Sequence, residues 1–321
     1  MLESMMMKLA ERESNRRRFL MTSGSLLAAA LTEGFPLHVL AEELAWLDVA
    51  SAGSIRPMLE GPLKTAAAQT LHQNLRIHAQ GADTVAQSLI DGTLKADVFI
   101  PITATPMLAT LHAGKTEVAY PIARTELVLL YSPKSRFVAQ FEAAAEGKAN
   151  WWEILQQPGI HIARSNPAND PGGRAIIFMM MLAARKYGQS DLVEKVLGPI
   201  LNPDQILTGG NNQARLQSGE IDAMSVYKIG PANSGQPYIS LSNDINLSRL
   251  NVRTENPDLR LAIEDKTFYP DPLIFYAAVL KDAANPKGAS TFIDWLRGEQ
   301  TQDLFRSNHF DPPGDASPLR S

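Results

Sequence analysis

The sequence predicts an α/β fold in which mainly parallel sheets are flanked by helices, and two observations support this prediction. Short apolar runs, typical of buried strands, alternate along the chain with longer segments in which apolar residues recur at helical spacing. Such alternation is typical of β-α-β units and of a largely parallel sheet. The 321 residues, of which 45% are hydrophobic and 20% charged, are enough for two ordinary globular domains.

The first predicted unit begins after residue 43, where an apolar run leads into the small-residue turn Ser51-Ala52-Gly53-Ser54 and then into a helical pattern. The elements predicted in this half are a strand over 44–50, a helix over 57–74, a strand over 75–79, a helix over 83–92 and a strand over 96–101. Ligands of such sheets bind beyond the carboxyl ends of the strands, where loops and helix starts converge.

A second set of elements follows the same pattern. The elements predicted here are strands over 126–131, 159–164, 222–227 and 273–280, and helices over 174–187, 209–217 and 289–306. The methionines in the helix over 174–187 point in different directions, which favours a packed core over a copper site. The tail after Phe310, rich in Pro, Asp, Gly and Ser, is predicted to be disordered.

The N-terminus has the features of an export signal. Arg16-Arg17-Arg18-Phe19-Leu20 resembles the twin-arginine signal and leads into an apolar run over 19–31. That run is shorter than the roughly 20 residues that cross a bilayer as a helix. Val39 and Ala41 supply the small residues of a cleavage site before Glu42. We therefore expect a signal peptide over 1–41 and a soluble mature protein in the periplasm or another extracytoplasmic space.

Composition and missing motifs exclude several function classes. A formal net charge of −4 with scattered Lys and Arg argues against nucleic acid as a partner, and the absence of cysteine excludes disulfides, thiolate metal sites and cysteine nucleophiles. The six histidines lack zinc-ligand spacing, and the chain has no G-x-S-x-G, Walker or G-x-G-x-x-G motif. We therefore expect neither an enzyme nor a metal centre or cofactor.

Two turns could hold an anion. Ser54 lies in a strand-to-helix turn, where its hydroxyl and nearby N–H groups could point at a negative ligand, although it could equally be an N-cap. In the loop over 164–173, Pro171 suits a first helical turn and the glycines allow close approach to a ligand. The alternative for this loop is an Asx-capped turn. Arg164 and Arg174 could add positive charge or be surface residues.

Several segments together resemble the periplasmic molybdate/tungstate-binding proteins, in that family's order. The segments that carry the resemblance are 52–55, 96–100, 126–135, 164–173, 218–223, 226–228 and 238–248. The resemblance implies a two-lobed type II periplasmic binding protein fold, with a hinge that closes on the ligand. It places lobe one at 42–123 plus 272–321 and lobe two at 124–271.

The resemblance also implies a site of neutral donors around a tetrahedral oxyanion. The residues that match are Ser54, Thr103, the backbone N–H groups of Gly172 and of Gly209 or Gly210, and Tyr227, with Ser51, Asp170 and Arg174 as secondary candidates. A fully deprotonated dianion offers only acceptors, so such a site penalises protonated phosphate.

Two positions depart from the family's pattern. Pro101 stands where the family usually has a serine, which leaves Thr103 and Thr105 as the nearest hydroxyls. Asp170 matches one of two carboxylates of the archaeal branch, but Val226 replaces the other. We therefore expect Asp170 to cap its helix or to bind Arg174.

The function implied is capture of molybdate or tungstate by a monomer and delivery to an ABC transporter permease. Two alternatives remain open at this point. The same fold could bind another oxyanion or a small organic acid, or it could serve a periplasmic protein that takes no part in transport.

Overall fold

The structure is a computed structural model that describes residues 44–206 and 212–321. The predicted signal peptide over 1–41 and the predicted ligand residue Gly210 therefore lie outside the described residues. Among those described, no helix has both the length and the apolar character needed to cross a membrane.

The first part of the chain alternates strands and helices as predicted. Its elements are β1 (Ala45–Ala52), a 3-10 turn (Gly53–Ile55), α1 (Arg56–Met58), a π-helical turn (Leu59–Leu63), α2 (Lys64–Thr70), β2 (Gln73–Gln80), α3 (Ala82–Ile90), β3 (Val98–Ile100), α4 (Ala104–His112) and β4 (Val118–Arg124). The single helix predicted over 57–74 is thus interrupted. Pro62 lies in the π-helical turn, and because proline has no N–H it disturbs regular helical hydrogen bonding.

The middle part of the chain begins directly after β4. Its elements are β5 (Leu127–Tyr131), α5 (Val138–Ala145), α6 (Trp151–Ile154), β6 (Ile162–Ala163), α7 (Pro171–Tyr187), α8 (Leu192–Leu197), α9 (Asn212–Ser218), β7 (Ala223–Tyr227), α10 (Ile229–Ser234), β8 (Tyr238–Ser240), α11 (Val252–Glu255), β9 (Leu261–Ile263) and β10 (Lys266–Phe268). The helix predicted to start at Arg174 starts at Pro171, because proline suits the first helical position and Asp170 caps it.

The last part of the chain returns to the first sheet. Its elements are β11 (Ile274–Val279), α12 (Pro286–Arg297), α13 (Glu299–Ser307) and β12 (Leu319–Arg320). The predicted helix over 289–306 is two helices, because Gly298 adopts an extended conformation between them.

The tail is ordered, contrary to prediction. Phe310 is buried against the rings of Phe275 and Phe305, at centroid distances of 5.5 and 5.2 Å. The backbone of Asp311 pairs with Arg124, and β12 pairs with β4. Backbone pairing and one aromatic anchor therefore hold a segment whose composition alone is typical of disorder.

Two sheets define two lobes within residues 44–321. Lobe one contains a six-stranded sheet of order β12-β4-β11-β3-β1-β2, and lobe two a four-stranded sheet of order β6-β7-β5-β8. A separate pair, β9 and β10, follows the second sheet in the chain. This is the two-lobed type II arrangement, and helices cover the sheets. The residue numbers at which the lobes divide stay a prediction.

The expectation of mainly parallel sheets needs a correction. β1 pairs in parallel with β2 and β3, and β6 with β7. β11 is antiparallel to β3 and β4, and β5 is antiparallel to β7 and β8. The reason is that the chain crosses from lobe one to lobe two and later returns. β4 leaves lobe one at the end where β11 re-enters it, with Arg124 opposite Ile274, so the two strands run in opposite directions.

Each lobe has its own apolar core. The core of lobe two packs β5 against the buried face of α7, including Met179 and Met180, which confirms that these methionines are core residues. In lobe one, apolar clusters lie on both faces of the sheet, which explains why its strands appear as continuous apolar runs. The side chain of Tyr227 contacts the cores of both lobes.

Candidate functional site

The strand ends of the two lobes converge on one cleft. β1 and β2 run in parallel with Ala52 opposite Gln80, so the turns that follow them are neighbours. In lobe two, β7 ends at Tyr227, opposite Leu127, which is the first residue of β5 after the crossing from lobe one. The carboxyl ends of these strands therefore meet where the lobes join, as α/β ligand sites do.

Close contacts connect the two predicted turns. A side chain added at Gly53 would lie 3.7 Å from the carbonyl oxygen of Gln80. Gly81 follows Gln80 in the chain. A side chain added at Gly81 would lie 3.1 Å from the carbonyl oxygen of Asn169 and 3.9 Å from Cβ of Asp170. The turn after β2 therefore contacts the loop before α7 in the other lobe, and the turn containing Ser54 lies beside it.

The lobe-one side of the cleft presents two buried hydroxyls. The side chain of Ser51, at the end of β1, is fully buried. The Oγ atoms of Ser51 and Ser54 have no hydrogen-bond partner among the described residues. Ser54 does not act as an N-cap, because the cap position is taken by Ala52, which makes no side-chain bond. These hydroxyls can therefore donate to a bound group.

Tyr227 contributes a third hydroxyl of this kind. Its buried Oη also lacks a partner within 44–206 and 212–321. A side chain at Gly172 would lie 3.3 Å from this oxygen and 3.5 Å from Oγ of Ser165. Burial raises the pKa of Tyr227 well above its usual value, and the nearby Asp170 carboxylate adds to the shift. The phenol therefore keeps its proton and can act as a donor.

The loop before α7 satisfies its own polar groups. Oδ1 of Asp170 accepts from the backbone N–H of Gly172 at 2.8 Å, which confirms that this residue caps the helix. Oδ1 of Asn166 accepts from the N–H of Ala168 at 2.9 Å. The Gly172 N–H, predicted to hold the ligand, thus donates to a carboxylate in this structure.

Gly173 fits this loop only because it has no side chain. An added Cβ would collide with the backbone carbonyl oxygen of Ser165 and would lie 2.6 Å from the backbone nitrogen of Pro167. The two glycines of the motif therefore have different roles, since the neighbours of Gly172 are the ends of side chains.

The charge of Asp170 depends on opposing influences. Burial is the largest and raises its pKa, and the nearby Asp83 carboxylate acts in the same direction. The Gly172 N–H and the Arg174 guanidinium lower it. The net result is a raised pKa, so this carboxyl is more readily protonated than an exposed aspartate.

Thr103 and Arg174 lie together in a different part of the cleft from Ser54. Both line a cavity of about 20 Å³ that also includes Asp271 and Phe268. Thr105, the other hydroxyl considered at this strand end, is bonded to Asp271 through its side chain and, at 3.3 Å, through its N–H. The hydroxyl of Thr105 is therefore bonded within the protein, and a ligand role for Thr103 stays a prediction.

Ser54 lines a much larger cavity of about 710 Å³. Lobe one contributes Met58 and Phe310, and lobe two contributes Met224 and Val226. Five amide side chains also line it: Asn212, Gln213, Asn233, Gln236 and Asn308. The predicted residue Gly210 precedes this lining but lies outside the described residues.

Asp83 was missed by the sequence reasoning. Its Oδ2 lies 2.6 Å from Nη1 of Arg174, so Arg174 binds an aspartate of lobe one and not Asp170. A signal existed, because Asp83 lies in the first turn after β2, where the carboxyl-end rule places ligand residues. Within the described parts of the chain, no group of three or more His, Asp or Glu is arranged to hold a metal ion.

Known proteins share this sequence pattern and fold. The sequence matches the family of bacterial extracellular solute-binding proteins over residues 47–311. It is 26% identical over 254 residues to the molybdate/tungstate-binding protein WtpA of Pyrococcus abyssi. This alignment covers 73% of each chain.

Solved structures are similar in fold. The periplasmic molybdate-binding protein of Azotobacter vinelandii matches with a TM-score of 0.55 and 18% identity, over 82% of this chain and 98% of that one. The sulfate-binding protein SubI of Mycobacterium tuberculosis matches with a TM-score of 0.57 and 14% identity, over 84% and 88%. With the family match extending from β1 to the tail, the chain belongs to the bacterial extracellular solute-binding proteins.

Proposed function

We propose that this protein captures molybdate or tungstate outside the cytoplasm and delivers it to an ABC transporter permease. The names of the relatives support the ligand, because WtpA of Pyrococcus abyssi and the Azotobacter vinelandii protein are molybdate or tungstate binders. The family supports the location and the receptor role.

One observation in the structure carries the proposal. Ser51, Ser54 and Tyr227 each bury a hydroxyl oxygen that has no partner among the described residues. Leaving such a group unpaired costs about 1 to 3 kcal/mol. A fully deprotonated oxyanion offers only acceptors, so it can satisfy all three hydroxyls as donors.

A second candidate ligand follows from Asp170 and from the large cavity. Oδ1 of Asp170 lies beside Tyr227 and already accepts from Gly172, so the site also contains an acceptor. A different oxyanion that keeps a proton, or a small organic acid, could donate to it. The cavity of about 710 Å³ beside Ser54 has room for such an acid.

We further propose that the chain binds its ligand without turnover, needs no cofactor and works as a monomer. Its first 41 residues direct export, through the twin-arginine route that the Arg16-Arg17-Arg18-Phe19-Leu20 string resembles.

An anion panel tests the proposal. Purified mature protein is titrated calorimetrically with tungstate, molybdate, sulfate, phosphate and small carboxylates, and thermal unfolding is followed with each. We expect tungstate and molybdate to bind and to raise Tm, because a ligand that binds only the folded state stabilises it. Binding of a carboxylate or of protonated phosphate alone would favour the second candidate.

A further inference from the structure

An ion pair between a buried arginine and a partly exposed aspartate joins the two lobes beside the predicted site. Arg174 lies in the first turn of α7 in lobe two, and Asp83 lies in the first turn of α3 in lobe one. Nη1 of the arginine and Oδ2 of the aspartate are 2.6 Å apart. This pair cannot form unless the lobes are close together.

Lobe two also holds the arginine through contacts of its own. Nη1 of Arg174 also donates to the carbonyl oxygen of Pro167 at 3.0 Å, and its guanidinium lies 4.2 Å from the ring centroid of Phe268. The side chain of Arg174 is 5% exposed, whereas that of Asp83 is 24% exposed. Arg174 therefore has further partners in its own lobe, and Asp83 is the more exposed member of the pair.

The pair lies beside residues predicted to hold the ligand, because both of its charges act on Tyr227. Arg174 follows Asp170 and Gly172 within one helical turn, and its N–H is bonded to the carbonyl oxygen of Asp170. Asp83 follows Gly81, whose backbone approaches Asn169 across the cleft. Closing the lobes around a ligand and forming this ion pair are therefore one movement.

Removing one partner changes the energetics of closure. A buried guanidinium without its carboxylate is costly, because its charge has lost both water and its partner. Opening the lobes would return water to it. Loss of the Asp83 charge should therefore favour the open form.

We infer that Arg174 and Asp83 form a latch between the lobes that slows release of the bound anion. Both act as positioning residues, since the latch acts through lobe closure and not through contact with the ligand. The inference rests on the proposed function for its ligand and on the inter-lobe contact for its mechanism.

Three variants isolate the latch. Asp83→Asn removes the charge, Asp83→Glu keeps it, and Asp91→Asn is the matched control. Asp91 lies one residue beyond the last residue of the same helix, is exposed and is bonded to Gln87 within lobe one. It therefore gives the same charge change without an inter-lobe contact.

Three quantities are measured on each variant: the release rate, the binding rate and the inter-lobe distances. The rate at which excess molybdate displaces bound tungstate is followed by tryptophan fluorescence, together with the rate of tungstate binding. Inter-lobe distances in ligand-free protein are measured by electron spin resonance between labels at Lys95→Cys and Ser190→Cys. Because the chain contains no cysteine, these labels are unique.

We expect Asp83→Asn to release tungstate about tenfold faster or more, with a binding rate changed less than about threefold. Its ligand-free distances should shift toward longer values, and Asp83→Glu should restore a large part of both. Wild-type release and wild-type distances in Asp83→Asn, or equal effects in Asp91→Asn, would overturn the latch. If the wild-type protein binds no tungstate, the proposed function fails, and the ligand-free distances decide the latch alone.

Discussion

The strand ends and the loop before α7 differ in whether their polar groups have hydrogen-bond partners within the protein. At the strand ends, Ser51, Ser54 and Tyr227 bury hydroxyls without partners among the described residues. In the loop, Asn166 and Asp170 accept the N–H groups of their own segment. These N–H groups are therefore paired within the loop, whereas the three hydroxyls can be paired by a bound group that accepts from them.

The largest effect on stability is expected in the loop. Gly173→Ala would place Cβ against the backbone of Ser165 and Pro167, and backbone cannot move aside as a side chain can. We expect a loss of about 3 kcal/mol in the free energy of unfolding, measured by urea denaturation. Gly172→Ala is the matched control, since its Cβ would meet only side-chain ends at 3.3 to 3.5 Å. Equal losses would show that the loop is not built around Gly173.

Tyr227→Phe tests the strand ends. Removing its hydroxyl should weaken tungstate binding by about 1 to 3 kcal/mol, as expected for a lost bond to a charged group. The free energy of unfolding without ligand should not fall, because the hydroxyl lost has no protein partner among the described residues. Calorimetry and denaturation measure the two effects.

Tyr131→Phe is the control for this change. Tyr131 is buried at the far end of β5, where it pairs with Ala223 at the start of β7. The Tyr131→Phe substitution should therefore leave the affinity for tungstate unchanged. Unchanged affinity in Tyr227→Phe would remove this residue from the site.

Ser54→Ala should give a smaller effect of the same kind. We expect a loss of about 1 kcal/mol in tungstate binding and no loss of stability in the ligand-free protein. Ser88→Ala, which removes a hydroxyl bonded to the carbonyl oxygen of Thr84, should leave binding unchanged. A stability loss at Ser54 without a binding loss would mean that its hydroxyl has a structural partner.

Asp170 should give the smallest effect, visible as a dependence on pH. Its pKa is raised in the folded protein, chiefly by burial, so its contribution to stability is present at low pH and is lost as pH rises through the folded pKa. Asn keeps the helix cap but does not titrate. Between pH 7 and pH 4, stability should therefore shift in favour of wild type over Asp170→Asn. A constant difference in urea unfolding would contradict the raised pKa.

The sequence allowed prediction of the fold where local patterns decide it. The apolar runs that form β1 and β5 are visible because most of the side chains of these strands are buried. Pairing direction was not predictable, since it depends on where the chain re-enters the first sheet at Ile274. The order of the tail depends on Phe310 packing against distant rings, which its own composition does not reveal.

The residues of the site were likewise predictable where local sequence decides their role. Turns at strand ends pointed to Ser54, and the capping role of Asp170 followed from its place before Pro171. The bond between Gly172 and Asp170 joins residues two positions apart. The pairing of Arg174 with Asp83, by contrast, joins residues that are distant in sequence. Contacts of this second kind need the folded molecule.

The most direct test of the central claim is a crystal structure of the mature protein with tungstate, using anomalous scattering at a tungsten absorption edge. We expect one strong peak in the cleft, with tungstate oxygens about 2.7 to 3.0 Å from the hydroxyl oxygens of Ser54 and Tyr227. A peak elsewhere, or bound tungstate whose oxygens do not contact these two hydroxyls, would contradict it.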